Sequence, residues 1–242
     1  MKVGGYARLD RDRPGRIGVP EVILGEGKTV HHLIGILRAL SERRQGALVS
    51  RPTPAQGRAV AGPLGKALGM RRLAHGRVLR LPGPLGVAHR DGTVALVTAG
   101  TSDVPLAEEA AAILSELGLR VLTAYDVGVA GLHRLLRAVR RLEAHRPDIY
   151  LVFAGREGAL PTVLAGLVRA PVVGVPTSVG YGRGGRGEAA LTAMLQSCAP
   201  IAVVNIDAAV PAALFAAQRF ARPLEGFGER PRGPPQRRRT RR

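Results

Sequence analysis

From Gly92 onward the chain alternates short apolar runs with amphipathic stretches, and that rhythm restricts the available folds more than any other feature. The runs at 94–99, 120–124, 149–154, 172–175 and 202–205 are short and rich in Val, Ile, Leu and Ala, and they predict strands. The stretches at 106–117, 132–143, 160–168, 188–197 and 211–221 predict helices. In 132–143, Leu132, Leu135, Leu136, Val139 and Leu142 recur at helical spacing with arginines on the opposite face. Such alternation predicts a parallel sheet with right-handed crossovers. Aromatics make up only 3% of the chain and tryptophan is absent, so the core must be aliphatic, as suits strands buried on both faces.

The first 91 residues lack this rhythm. A polar, Gly- and Arg-rich segment (4–18) leads into VPEVILGEGKT. Val30, Leu33, Ile34, Leu37 and Leu40 then mark a helix that Thr29 can cap. A strand is predicted at 47–50. The Gly/Pro-rich stretch 52–92 holds a short helix near 63–68 and a strand near 77–81. The expected organisation is an α+β region (1–91), a parallel α/β domain (92–221) and a disordered basic tail (222–242).

The net charge of +18 invites a nucleic-acid reading. Seven of the 36 basic residues lie in 230–242, leaving 29 against 18 acidic ones. Residues 230–242 lack apolar side chains and could contact polyanions nonspecifically. No aromatic stacking platform or reader motif accompanies it, so nucleic acid ranks last among the expected partners. A single cysteine excludes an intrachain disulfide. No run is long enough to span a bilayer and the first residues are charged, so the expectation is a cytoplasmic protein without a membrane partner.

The chemistry is expected beyond the carboxyl ends of the strands, where open parallel sheets bind ligands. The first strand runs into Gly100-Thr101-Ser102-Asp103 at a helix start, a place suited to phosphate. One of those side chains is also a natural helix cap. Later loops carry Asp126 and His133, then Gly155-Arg156-Glu157-Gly158, then Ser178 and Tyr181 in a Gly-rich stretch, and finally Asn205-Ile206-Asp207. So much Ser, Asp, His, Glu and Tyr among the glycines predicts a binding cleft.

The strings AGTSDVPLAEEA, YDVGVAGLHRL, AGREGALPTVLAGL, GVPTSVGYG and AMLQSCAP-IAVVNID closely resemble the LarB family of nickel-pincer cofactor biosynthesis proteins. These are relatives of the PurE-type aminoimidazole ribonucleotide (AIR) carboxylases. The N-terminal ARLDRDRPGRIGVPEVILGEGKT is also similar to the family's opening signature. The resemblance implies a three-layer flavodoxin-like (PurE-like) domain assembled as a homo-oligomer, with an octamer as the family precedent. It implies a pyridinium-3,5-biscarboxylic acid mononucleotide synthase, which carboxylates nicotinic acid adenine dinucleotide and cleaves its phosphoanhydride to release AMP. Carbon dioxide or bicarbonate is the implied co-substrate, magnesium a plausible helper, and no organic cofactor is implied. The alternative enzyme reading is AIR carboxylase or mutase chemistry.

An electron-poor pyridinium does not attack carbon dioxide. A thiolate added to the ring creates an enamine-like carbon that can, and a base then removes the ring proton. By the resemblance, Cys198 is the nucleophile and Glu157 the candidate base. Thr101, Ser102 and Asp103 are then candidates for phosphate and ribose contacts, with Asp126, His133, Ser178 and Tyr181 completing the site. Without the resemblance, a lone cysteine reads as a small buried hydrophobe and a lone histidine as structural. The chain departs from the family at Ala208-Ala209, where Asn-Gly is expected, near Pro200, where a glycine is missing, and at Arg183 and Arg186.

Overall fold

The computed structural model describes residues 2–10, 12–87 and 91–222. The expectation of a disordered tail falls, apart from Arg222, outside the described residues.

Five parallel strands form the larger sheet: β7 (Thr93–Thr98), β8 (Arg120–Ala124), β9 (Ile149–Ala154), β10 (Val172–Pro176) and β11 (Ile201–Val203), numbered after six strands in the N-terminal region. Their order is β11-β10-β9-β7-β8, the doubly wound flavodoxin-like arrangement. Side-chain alternation sends Val94 and Leu96 to one face, and Ala95 and Val97 to the other. On the first face lie α5 (Val104–Glu116) and α9 (Ala209–Gln218). The second is covered by α6 (Leu132–Glu143), α7 (Ala159–Ala165) and α8 (Glu188–Leu195). Strand β11 is shorter than expected and starts one residue earlier. Beyond it the chain still follows β10, with the Asp207 N–H bonded to the Pro176 carbonyl at 2.8 Å.

Before this sheet come a hairpin of β1 (Lys2–Val3) and β2 (Ala7–Arg8), then α1 (Arg13–Ile17), β3 (Val22–Leu24), α2 (Val30–Ser41) and β4 (Ala47–Ser50). They are followed by α3 (Pro54–Ala61), α4 (Pro63–Ala67), β5 (Arg71–Leu73) and β6 (Val78–Leu81). The second sheet has the order β3-β4-β6-β5, with β3 and β4 parallel and the other pairs antiparallel. Helix α2 starts at Thr29, whose hydroxyl accepts the His32 N–H at 3.1 Å. It buries Leu33, Ile36, Leu37 and Leu40 against Val49, Leu79 and Leu81, each such side chain contributing about 1.5–3 kcal/mol. The sequence reading passed over α3. Its signal was present: Pro54 in the first turn and a reciprocal Thr53–Gln56 capping box.

The opposite face of the N-terminal sheet, through Leu48 and Val78, joins the apolar cluster of α5 and α9. Charges reinforce that seam. Glu109 of α5 is fully buried, accepting the Ser50 hydroxyl at 2.5 Å and Arg77 at 3.3 Å. Glu116 accepts from Arg80 at 2.8 Å and Arg71 at 2.7 Å. No helix among the described residues is long and apolar enough to cross a membrane.

Candidate active site

The strand order reverses between β7 and β9, and their carboxyl ends open a crevice there. A cavity of about 550 Å³ occupies it, lined by Gly100, Ser102 and Asp103 after β7, Arg134 from α6, and Gly155 to Gly158 after β9. Asp103 organises the first loop. Its carboxylate accepts the Gly100 N–H at 2.9 Å and the Thr177 hydroxyl at 2.6 Å, tying the β7 loop to the β10 loop. Burial, above all, raises the Asp103 pKa, while those two hydrogen bonds oppose the shift. Negative charge on Asp207 and Glu157 raises it further.

Two glycines let the loops close in. A Cβ on Gly155 would lie 2.2 Å from the Val179 carbonyl oxygen and 2.3 Å from Thr177 Oγ1. Gly158 has φ +66°, and a Cβ there would meet the backbone of Ala190. Glu157, exposed between them, lines the cavity.

Other candidates sit around this centre. Ser178 lies outside the first cavity, with its N–H on the Asp207 carboxylate at 2.8 Å. Tyr181 is 76% exposed and lines neither this cavity nor its neighbour, but the Arg156 guanidinium stacks 4.4 Å from its ring centroid. Asp126, in a left-handed conformation at φ 55°, binds Arg134 at 2.7 Å and so orients a cavity residue. Thr101 and His133 are exposed and line neither cavity.

Cys198 is exposed and lies outside both cavities. It follows α8 and precedes β11, whose Ile201 pairs in register with Val172 at the start of β10. Glu157 follows β9, whose Ala154 pairs with Pro176 at the end of β10. The two candidates therefore belong to opposite edges of the sheet, and the β10 strand alone spans roughly 13 Å. The adjoining Ser197 is fastened to α7 through Thr162 at 2.8 Å.

A second cavity of about 630 Å³ abuts the first, with Ser102 and Val179 lining both. Its far wall carries Arg51, Thr53, His75 and Arg77 from the N-terminal region. Sequence reasoning missed these residues, and also Arg134 and Arg156. Arginine is so common in this chain that no single one stands out.

A flavodoxin-like sheet with loops gathered at its switch point defines the class, and comparison with known proteins places the chain within it. Residues 93–230 match the AIR carboxylase family and residues 1–78 match the LarB/PurE-like N-terminal domain. An uncharacterized protein of Methanocaldococcus jannaschii is 39% identical over 214 residues, covering 86% of this chain and 82% of that one. The N5-carboxyaminoimidazole ribonucleotide mutase of Pyrococcus horikoshii is 33% identical across 51% of this chain and 69% of its own length. Treponema denticola PurE overlays with a TM-score of 0.41 at 22% identity, covering 54% of this chain and 88% of that one. The chain belongs to the LarB family of AIR carboxylase-related proteins. That family relationship is to carboxylase and mutase enzymes.

Proposed function

We propose that the protein carboxylates the pyridinium ring of nicotinic acid adenine dinucleotide and cleaves its phosphoanhydride, yielding pyridinium-3,5-biscarboxylic acid mononucleotide and AMP for nickel-pincer cofactor synthesis. The reading rests on one observation above all: the LarB/PurE-like N-terminal domain walls a second cavity beside the strand-end cavity. In this reading the first space takes the pyridinium ring and its phosphate, and the dinucleotide has a further half to place. A mutase acting on an aminoimidazole ribonucleotide would leave that second space and Cys198 without a role.

In this reading the Cys198 thiolate adds to the cationic ring, giving a neutral dihydropyridine. Its enamine-like carbon forms a C–C bond to carbon dioxide. Glu157 takes the proton from that carbon, the C–S bond breaks, and the electron pair leaves with sulfur, restoring the aromatic cation. Separately, water attacks the anhydride and AMP departs. Because Cys198 and Glu157 belong to opposite edges of one sheet, the thiol at each Glu157 comes from a second copy of the chain. The protein therefore works as a homo-oligomer. Among the described residues no group of three His, Cys, Asp or Glu forms a metal site, so magnesium enters the assay with the substrate phosphates and no step is routed through it.

Purified protein given the dinucleotide, bicarbonate and magnesium should release AMP and the dicarboxylated mononucleotide, identified by mass. A folded preparation that forms neither, yet turns over carboxyaminoimidazole ribonucleotide, would replace this reading with the mutase one.

A further inference from the structure

Two arginines among the described residues line the strand-end cavity, and they are held in different ways. Arg134 is already matched by an acid, its Nη1 lying 2.7 Å from the Asp126 carboxylate. Arg156 pairs with no carboxylate among the described residues, not even that of Glu157 beside it in the chain. Its guanidinium instead lies over the Tyr181 ring, with Cζ 4.4 Å from the centroid. Stacking occupies the face of the guanidinium and leaves the five N–H donors along its edge. The backbone sets up this contact. At the end of β10 the Thr177 N–H bonds to the Ala154 carbonyl at 3.1 Å, and the Thr177 hydroxyl to Asp103. Gly155 lets Val179 approach, so the loop after β10 stays against the loop after β9. Tyr181 stands two residues further on, extended at φ −146°, and Gly182 follows in the left-handed conformation at φ 73°. A tyrosine 76% exposed adds little to the core, and its ring serves Arg156.

Resting on the proposed function, we infer that Arg156, its plane set by Tyr181, recognises the carboxylate on the pyridinium ring and so selects the nicotinic acid dinucleotide over its nicotinamide counterpart. The pyridinium half of the substrate carries two anionic groups, a phosphate and the ring carboxylate. The helix start beyond Gly100 suits the phosphate. That leaves the carboxylate for the guanidinium without an acid partner. A carboxylate accepts two parallel N–H bonds from a guanidinium edge, whereas a carboxamide offers one acceptor oxygen and sets its own N–H donors against those of arginine. Glu157, the next residue, lines the same cavity, so the contact that reads the substituent also brings the ring to the base. Arg156 is then the specificity residue, and Tyr181 a positioning residue that acts through it.

Calorimetry with nicotinic acid adenine dinucleotide and nicotinamide adenine dinucleotide tests this, on the full chain and on Arg156→Gln, Tyr181→Leu and Tyr181→Phe variants. Both side chains are exposed, so the replacements leave the fold in place. Wild type should bind the acid at least about tenfold more tightly than the amide. Arg156→Gln should erase that preference by weakening the acid alone. Tyr181→Leu should weaken the acid about two- to fivefold, and Tyr181→Phe, which keeps the aromatic face, should restore it. A wild type without preference would overturn the assignment. So would an Arg156→Gln variant that keeps the preference or loses both dinucleotides equally. Equal losses in Tyr181→Phe and Tyr181→Leu would remove the positioning role of the ring. Carboxylation that persists alongside a preference independent of Arg156 would leave the proposed function standing without this residue. An Arg156-dependent preference with no turnover would do the reverse, and a wild-type protein that binds neither dinucleotide overturns both.

Discussion

The two sheets of this protein are built on different economies. The parallel sheet is covered on both faces by helices, and its five strands contain hardly a charge, so chemistry is confined to the loops beyond their ends. The N-terminal sheet is mixed, and it sets Arg71, Arg77 and Arg80 against the acids of α5. The first sheet gathers Asp103, Glu157, Arg134 and Arg156 among glycines at its loop end, and the second adds Arg51, His75 and Arg77 to the adjoining cavity. A carboxylating site needs a base and room for carbon dioxide, whereas holding the phosphates needs positive charge. Under the proposed function, the two cavities would answer those two demands. Changes in the parallel-sheet loops should therefore abolish turnover in a protein that still folds. Changes in the seam should cost stability first.

The largest effect is expected at Cys198. Replacement by Ala should remove ring carboxylation entirely while leaving the melting temperature close to wild type, because the side chain is exposed. Glu157→Gln should slow carboxylation by roughly 10²–10⁴, the usual share of a general base, again with little change in melting. Mixing the two variants as co-assembled subunits sharpens the point. If each site combines Cys198 of one copy with Glu157 of another, the mixture recovers measurable turnover that neither parent shows. No recovery from a verified mixed oligomer would mean that the two residues do not meet across subunits.

How much of this was readable beforehand divides along the same line. The parallel strands are legible because burial on both faces leaves uninterrupted apolar runs, and α6 because its apolar stripe and arginine face differ so sharply. The N-terminal sheet is harder, since β3 and β5 are only three residues long and take their partners from distant segments. Within the site, Ser102, Asp103 and Glu157 are legible from their places just after strands. Cys198 is the instructive case. Reading it into the same cleft follows the family resemblance, whereas its place just before β11 assigns it to the other edge. Arg51 and Arg77 gain meaning only once the sheets are packed, because nothing local relates residue 51 to residue 207.

The seam predictions are smaller. Glu109→Ala removes the buried acceptor of Ser50 and Arg77 and leaves a cavity inside the apolar layer. Because Arg77 is 38% exposed and stays hydrated, the loss should fall below the roughly 3–5 kcal/mol of a fully buried pair. The melt should shift downward, with turnover at low temperature falling less than for Glu157→Gln. If Glu109→Ala instead matched wild-type stability, the two sheets would not be coupled through α5 as their contacts indicate. The smallest effect concerns Asp103. Its folded pKa lies above the 3.8 of an ordinary aspartate, so between those values the folded state binds more protons than the unfolded one. Its contribution to stability is therefore full below the unfolded value and is lost as pH rises through the folded one. Asp103→Asn, which cannot ionise, should flatten that part of the stability–pH curve measured by urea unfolding across the mildly acidic range. A curve of unchanged slope would show that the burial and the neighbouring acids around Asp103 do not bear on its ionisation.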